Sequence, residues 1–497
     1  MLPNMRYYLI LILLIANLFY KEFWGLNALI TAVLIIIVNL LNKQEDNQPL
    51  RITSVKWWTA ALLLIANGFG VFYTNTLLAA ILFIISVLYF AAINNQNQHS
   101  LILGIIQSMR SFFHGFYNLI DRINGYFKNK KETKSNNTYI RFLLISVPFL
   151  IAIIFLKLYQ SADKTFYEWT KFINLDWVSW SFIFFYLGVF VFSYGLYFFS
   201  KSDQLFAFEQ SLKNLIPTNY ADKVQNFMGV DNEKKIALSL LITLNLLLLL
   251  YNFIDLRFVF TELQAPSPTL RYSETLHGGV NSLITSIVLV IIIITFIFRG
   301  QVNFQKNTLL KALALFWLFM NLIMVATTTI KNWEYITHWG LTYKRIGVYI
   351  YLSLAAIGLV LTIFKIIKIQ SIWYLIRSMS ITFFACFTLM GIINWDRIIV
   401  NYNLSHIPVE KVDIAYLMKL GEEAYPPLLE FTINHPDQFT AEETYEIRYF
   451  FDAAYLRIKD KHDLNTWRSL NIRQYTLLEE MKRISPKIPN TISQAAL

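Results

Sequence analysis

The sequence predicts an all-α, polytopic integral membrane bundle of about eleven spans, ending in a small helical module outside the bilayer. Three observations predict it. Hydrophobic residues make up 56% of the chain and charged residues 15%, against roughly 25% charged in soluble domains. The apolar residues come in continuous blocks, each near the ~20 residues that cross ~30 Å of hydrocarbon as a helix. The blocks do not alternate as barrel strands would, and in lipid only helices or closed barrels satisfy their own backbone groups.

The elements follow in chain order. Spans are expected at 7–19, 23–41, 57–73 and 77–93, which together form a first membrane unit over residues 1–93. Arg6 precedes the first block, but Tyr20-Lys21-Glu22-Phe23 offers no small-residue cleavage site, so that helix is expected to be retained. A segment over 94–141 follows. In it Ile105, Met109, Phe112, Phe116, Ile120, Ile123 and Phe127 recur at helical spacing, which predicts a helix lying in the cytoplasmic interface. Lys128, Lys130, Lys131 and Lys134 follow it. They read as a positive-inside determinant, with contact to anionic lipid as the alternative.

The second membrane unit, 142–395, carries expected spans at 142–158, 177–199, 236–253, 280–298, 312–330, 346–367 and 372–394. The loop 200–235 is expected to hold a short surface helix broken at Pro217. With the N-terminus inside, the inner connections hold 20 Lys and Arg and the outer ones 8. That asymmetry predicts a bacterial inner-membrane protein with its N-terminus in the cytoplasm and its C-terminus outside. Trp57, Trp58, Trp177, Trp180, Trp333, Trp339, Trp373 and Trp395 fall near expected span ends, where indole prefers the headgroup zone.

Residues 396–497 are soluble in character and are expected to form an extracytoplasmic module. Helices are expected over 409–420, over 422–434 with Pro426 and Pro427 in the first turn, and from the capping box Thr440/Glu443 to about Lys461. Asn465 or Thr466 is expected to cap a last helix to about Ile484.

Signatures of known chemistry are missing: there is no P-loop, no H-E-x-x-H and no dinucleotide fingerprint. One cysteine, Cys386, and seven scattered histidines predict neither a metal site nor a cofactor. The net charge of +11 sits between apolar blocks, so it points to the lipid bilayer as partner and away from nucleic acid.

Two groups of polar residues remain. Within spans stand Asn245, Asn281, Asn321 and Arg377; the amides read as interhelical hydrogen bonders, and Arg377 either carries function or snorkels, as Lys157 and Lys365 would. At the outer face, LRYSETLHGGVNSL offers Glu274 and His277, NWEYITHWGLTYKR offers Glu334, His338, Tyr343 and Arg345, and NWDRIIVNYN offers Asn394, Asp396, Arg397, Asn401 and Asn403. The topology places all three runs on one side. They read as an ion-pair network locking the last helices to the module, or as a ligand, headgroup or proton site.

The same runs resemble a group of bacterial multi-pass membrane proteins described as a domain of unknown function. Tyr272 to Gly279 resembles the family's Tyr-x-x-x-x-x-x-Gly run. Trp339-Gly340-Leu341-Thr342-Tyr343-Lys344-Arg345 resembles its Tyr-Gly-Leu-Thr-x-x-Arg run, and Asn394-Trp395-Asp396 with Asn403 resembles its Asn-Pro-Asp run with a downstream Asn. Asp413 to Leu417, Ala424 to Leu428, and Trp467-Arg468-Ser469 resemble further pieces, so the resemblance covers roughly residues 230–470. Trp395 stands where the family has Pro, which removes a chain break, so the last span is expected to run on as helix into Asp396 and Arg397. The resemblance implies a fold and no activity.

Three functions are compatible with these readings. They are a non-enzymatic scaffold or sensor, a transporter or lipid-handling protein, and a membrane enzyme on a lipid-linked substrate with Glu274, His277 or Asp396 as acid or base.

Overall fold

The computed structural model describes the chain except residues 1–4, 46–53, 96–99, 130–137, 174–178, 217–228, 262–270, 305–306 and 486–497. Pro217 and most of the lysine-rich loop lie outside the described residues. The described chain is helical throughout. Six helices are long and apolar enough to cross a membrane, and shorter apolar helices fall on the other five expected spans.

The N-terminal unit is α1 (Met5–Phe19), α2 (Leu26–Glu45), α3 (Val55–Thr74) and α4 (Leu77–Asn95). Ala28 and Ala32 of α2 pack on Gly68 of α3, where a Cβ would lie 3.2 Å from the Ala32 Cβ and 3.3 Å from the Ala28 oxygen. Small residues let these backbones approach where lipid supplies no hydrophobic drive. Trp57 stands in the first turn of α3. It is buried and donates its indole N–H to Asn94 Oδ1 at 3.3 Å.

α5 (Leu101–Asn129) is amphipathic in an inverted sense. Its buried stripe is small and polar, namely Gly104, Gln107, Ser108, Ser111 and Gly115, while Ile106, Met109, Phe113, Tyr117 and Ile120 are exposed. The stripe crosses α8 (Trp180–Tyr197) so closely that a Cβ on Gly115 would lie 2.4 Å from the Gly195 Cα. Ser111 Oγ donates to the Gly195 carbonyl at 2.6 Å. Thus α5 packs on the bundle through its polar side. The reason is the same: between helices in lipid, close packing and hydrogen bonds take over from apolar burial. Before α8 come α6 (Thr138–Ala162) and α7 (Lys164–Thr170), and after it α9 (Asp203–Ser211), capped by Ser202.

The second unit is α10 (Val230–Thr261), α11 (Arg271–Ile297), α12 (Thr308–Trp339), α13 (Tyr343–Ile367) and α14 (Ile372–Ile392). α10 and α12 form a parallel pair. Asn245 and Asn252, seven apart, donate to the carbonyls of Leu313 at 3.1 Å and Met320 at 2.9 Å, also seven apart. Each of these helices has 32 residues, or ~48 Å at 1.5 Å per residue. They therefore overrun the expected spans, because Asp255 and Lys331 end the apolar windows without ending the helices. The two charges pair with each other instead.

The module comprises α15 (Trp395–His406), α16 (Ile414–Met418), α17 (Tyr425–Asn434), α18 (Ala441–Leu464) and α19 (Ile472–Ile484) around Leu417, Leu428, Ile447, Phe451 and Met481. Ile346 of α13 joins this core, so module and bundle share apolar packing. The expected unbroken run from the last span is corrected. α14 stops at Ile392, Asn394 leaves the helical region, and its side chain accepts the Arg397 N–H to start α15. An Asn cap replaces the missing proline as the break. The last cap is corrected too: Thr466 caps a 3-10 turn at Trp467–Ser469, and Asn471 caps α19.

Candidate functional site

The polar junction between module and bundle is built around three corners. At the first, α12 ends and α13 begins. Gly340 holds φ 81°, ψ 175°, a region open essentially to glycine alone. That conformation lets the chain turn at once, and Thr342 caps α13 through the Arg345 N–H. Arg345 folds back. Its Nη1 donates to the Trp339 carbonyl at 2.7 Å and also to that of Gly340, while its guanidinium lies 4.1 Å from the centre of the Tyr335 ring. A cation thereby satisfies the carbonyl end of α12. From α15, the Asn403 amide brackets Leu341, accepting its N–H at 2.5 Å and donating to its carbonyl at 2.9 Å.

The second corner is Asp396. Its Oδ1 accepts the Tyr343 hydroxyl at 2.6 Å, and its Oδ2 lies 3.3 Å from Arg473 Nη2 of α19. Arg473 Nε also bonds Glu423 at 2.7 Å. Arg397, next in sequence, makes a two-pronged pair with Glu480 at 2.6 and 2.8 Å. Tyr416 accepts the Tyr343 N–H at 2.9 Å, and burial pushes its hydroxyl pKa up from the ordinary value. It therefore stays neutral at physiological pH.

The third corner joins residues 468–471 to the α1–α2 turn and the end of α3. Arg468 and Ser469 bond Glu22 at 2.5 and 2.9 Å. The Leu26 N–H bonds the Leu470 carbonyl at 2.9 Å, and Asn471 donates to the Phe72 carbonyl at 2.9 Å. A Cβ on Gly25 would lie 2.5 Å from the Leu470 oxygen, so only glycine permits this approach.

A family described as a domain of unknown function, DUF4153, matches residues 8–431. The chain belongs to that family. Among curated proteins and among solved structures nothing matches. The DUF4153 match reaches back to the first helix, well before the late runs that carry the resemblance, and stops within α17. The Arg468 corner therefore lies beyond it.

Within this DUF4153 chain the junction takes in Arg345, Asn394, Asp396 and Arg397 and leaves other expected members aside. Glu334 is half-buried, and His338 is exposed with its Nδ1 2.8 Å from the Glu334 carbonyl, one turn back on the same helix. Glu274 and His277 lie in the first turns of α11, and their side chains are outside the described residues. Asn281 is exposed. Asn321 is buried and donates to Trp317 of its own helix. Arg377 lies at the opposite end of the bundle from the module. It bonds Glu209 of α9 at 2.6 Å and Asn214 at 2.5 Å, so its guanidinium is held by protein partners. Lys365 is likewise held: it is buried, and its Nζ bonds the Phe298 carbonyl at the end of α11, 3.0 Å away. Among the described residues no group of His, Cys, Asp and Glu could hold a metal ion.

Sequence reasoning missed Glu22, Glu423, Arg473, Glu480 and Asp255. Each is an ordinary charge in a polar stretch or just past a span, and its partner lies far away in sequence. The one available signal was excess pairing capacity: acidic groups at a helix break imply cations elsewhere.

Proposed function

We propose that this chain is a non-enzymatic membrane scaffold or sensor, whose helical module is held rigidly on one end of the bundle. One observation carries the reading. The charged groups of the junction are spent within it: Asp396, Glu423 and Arg473 pair inside the module, and Arg345 bonds the carbonyls that end α12. The Tyr343–Asp396 bond ties the module to α13, and Arg468 with Leu470 ties it to the α1–α2 turn. A catalytic site would keep a carboxylate or imidazole free towards an open cleft. The positive-inside count supports a cytoplasmic N-terminus, a module outside, and a bacterial inner membrane. Loss of the clamp should then abolish function, whereas loss of polar groups outside it should not. Complementation of a deletion strain tests this with Arg473→Met against Glu334→Gln and His338→Gln. Failure of the latter two with an intact clamp would favour chemistry instead. A cysteine placed at Asn490 in a Cys386→Ser background should label from outside intact cells, and protection there would reverse the orientation.

Transport is the second reading, and one observation favours it. Asn245 Oδ1, Asn252 Oδ1, Asn321 Oδ1 and Asp255 Oδ2 are buried without a hydrogen-bond donor among the described residues. Acceptors of this kind cost free energy in hydrocarbon unless water or a cation reaches them. If Asn252→Leu stabilises the protein without loss of complementation, this reading fails.

A further inference from the structure

A cavity of about 210 Å³ opens in the module between the end of α18 and the start of α19, beside the third corner. It is smaller than the roughly 300–1,000 Å³ of sites for drug-sized ligands, and so has room for a single ring. Its walls are aromatic and amide. Trp467 is largely exposed there and Tyr475 about half exposed. The His462 and Tyr475 rings stand 6.0 Å apart at 47°. Asn465 and Gln474 line it, their amides 3.4 Å apart. Among the described residues no Asp, Glu, Lys or Arg lines it.

Each feature restricts the ligand. Without a fixed charge in the wall, an ionic ligand would lose its hydration with no partner. Flat aromatic faces take a flat apolar surface, and amides offer donors and acceptors side by side. A pyranose combines these needs, because its C–H face is apolar and its edge carries hydroxyls that both donate and accept. The exposed indole also suits it: Trp presents a large apolar face with a polar tip.

We propose that this cavity binds one neutral sugar ring, with Trp467 as the stacking platform and Asn465, Gln474 and Tyr475 reading its hydroxyls. The ring could belong to a soluble saccharide or to a glycolipid headgroup, since Asn471 on the same wall is bonded to the end of α3. The inference rests on the cavity alone and stands whether or not the scaffold reading does.

Saturation-transfer NMR on the full chain in nanodiscs tests it, with maltotriose and N,N′-diacetylchitobiose as soluble probes. Monoglucosyl diacylglycerol in the disc is the lipid probe, and phosphatidylglycerol discs are the blank. Saturation of ring C–H protons that falls at least five-fold in Trp467→Ala and in Asn465→Leu, with unchanged thermal unfolding, supports the proposal. Signal from the soluble probes assigns a free saccharide, and signal from the glycolipid alone assigns a headgroup. Absence of signal from all three sugars overturns the proposal, as does a signal that Trp467→Ala leaves intact. Should Asn465→Leu unfold the module, Trp467→Ala decides by itself, because its side chain is exposed.

Discussion

Replacing Gly340 with alanine should loosen the junction at its tightest turn. The backbone there has φ 81° and ψ 175°, which costs a residue with a Cβ about 1–3 kcal/mol. The new Cβ would also stand 2.5 Å from Asn403 Oδ1. Moving that amide away breaks the two bonds by which it holds Leu341, each worth about 1 kcal/mol net. Together these give a loss of about 3–5 kcal/mol, large against an average single substitution. Reversible unfolding in mixed SDS micelles measures it. Gly347→Ala is the control. It lies within α13, its Cβ would meet nothing within 4 Å among the described residues, and helix propensity makes it neutral to about 1 kcal/mol stabilising. Adding Gly340→Ala to Asn403→Ala separates the causes. The backbone strain should persist in the double variant, while the clash should not. If Gly340→Ala loses less than about 1 kcal/mol, the turn is not held as described and the account of this corner is wrong.

Other perturbations reach the remaining contacts. Arg473→Met strands Asp396 and Glu423, both largely buried, and should cost about 3 kcal/mol; protease should then cut between α14 and α15, and unchanged resistance would count against the clamp. Gly25→Val should separate the α1–α2 turn from Leu470, read as loss of a disulfide cross-link engineered between positions 22 and 468. Thr440→Ala removes the α18 capping box and should cost about 1 kcal/mol. The Thr440 backbone N–H, and then its hydroxyl, hold the Glu443 carboxyl below its ordinary pKa. The stabilisation from Glu443 is therefore fully present above the unfolded-state pKa and fades as pH falls through the lower folded-state value. Glu443→Gln should flatten that acid limb of the stability curve, and an unaltered limb would place the titration elsewhere. Gly115→Leu should part α5 from α8, seen as faster hydrogen exchange in residues 101–115.

The fold class was readable because lipid imposes a simple rule: an uninterrupted apolar block of sufficient length must be a helix. Caps were readable for a similar reason. Pro426, Pro427 and the Thr440/Glu443 pair act within one turn of themselves, so their meaning is local. Part of the junction was readable as well, since Arg345, Asn394, Asp396 and Arg397 stand at helix ends, where charge marks the limit of a span. Their partners were not. Asp396 meets Arg473 across 77 residues and Glu22 meets Arg468 across 446, and no local pattern records which of many surface charges will be neighbours.

The sequence by itself determined the helical bundle, the positions of the apolar spans and the change of character at residue 396, because hydrophobicity and capping act over a few turns. Tertiary structure alone decided that α5 packs through its polar stripe, that α10 and α12 continue as helix past their apolar windows, and that residues 468–471 return to the first hairpin. Those outcomes depend on which surfaces meet. Close approach at Gly25, Gly115 and Gly195 and pairing of distant charges are properties of two segments at once.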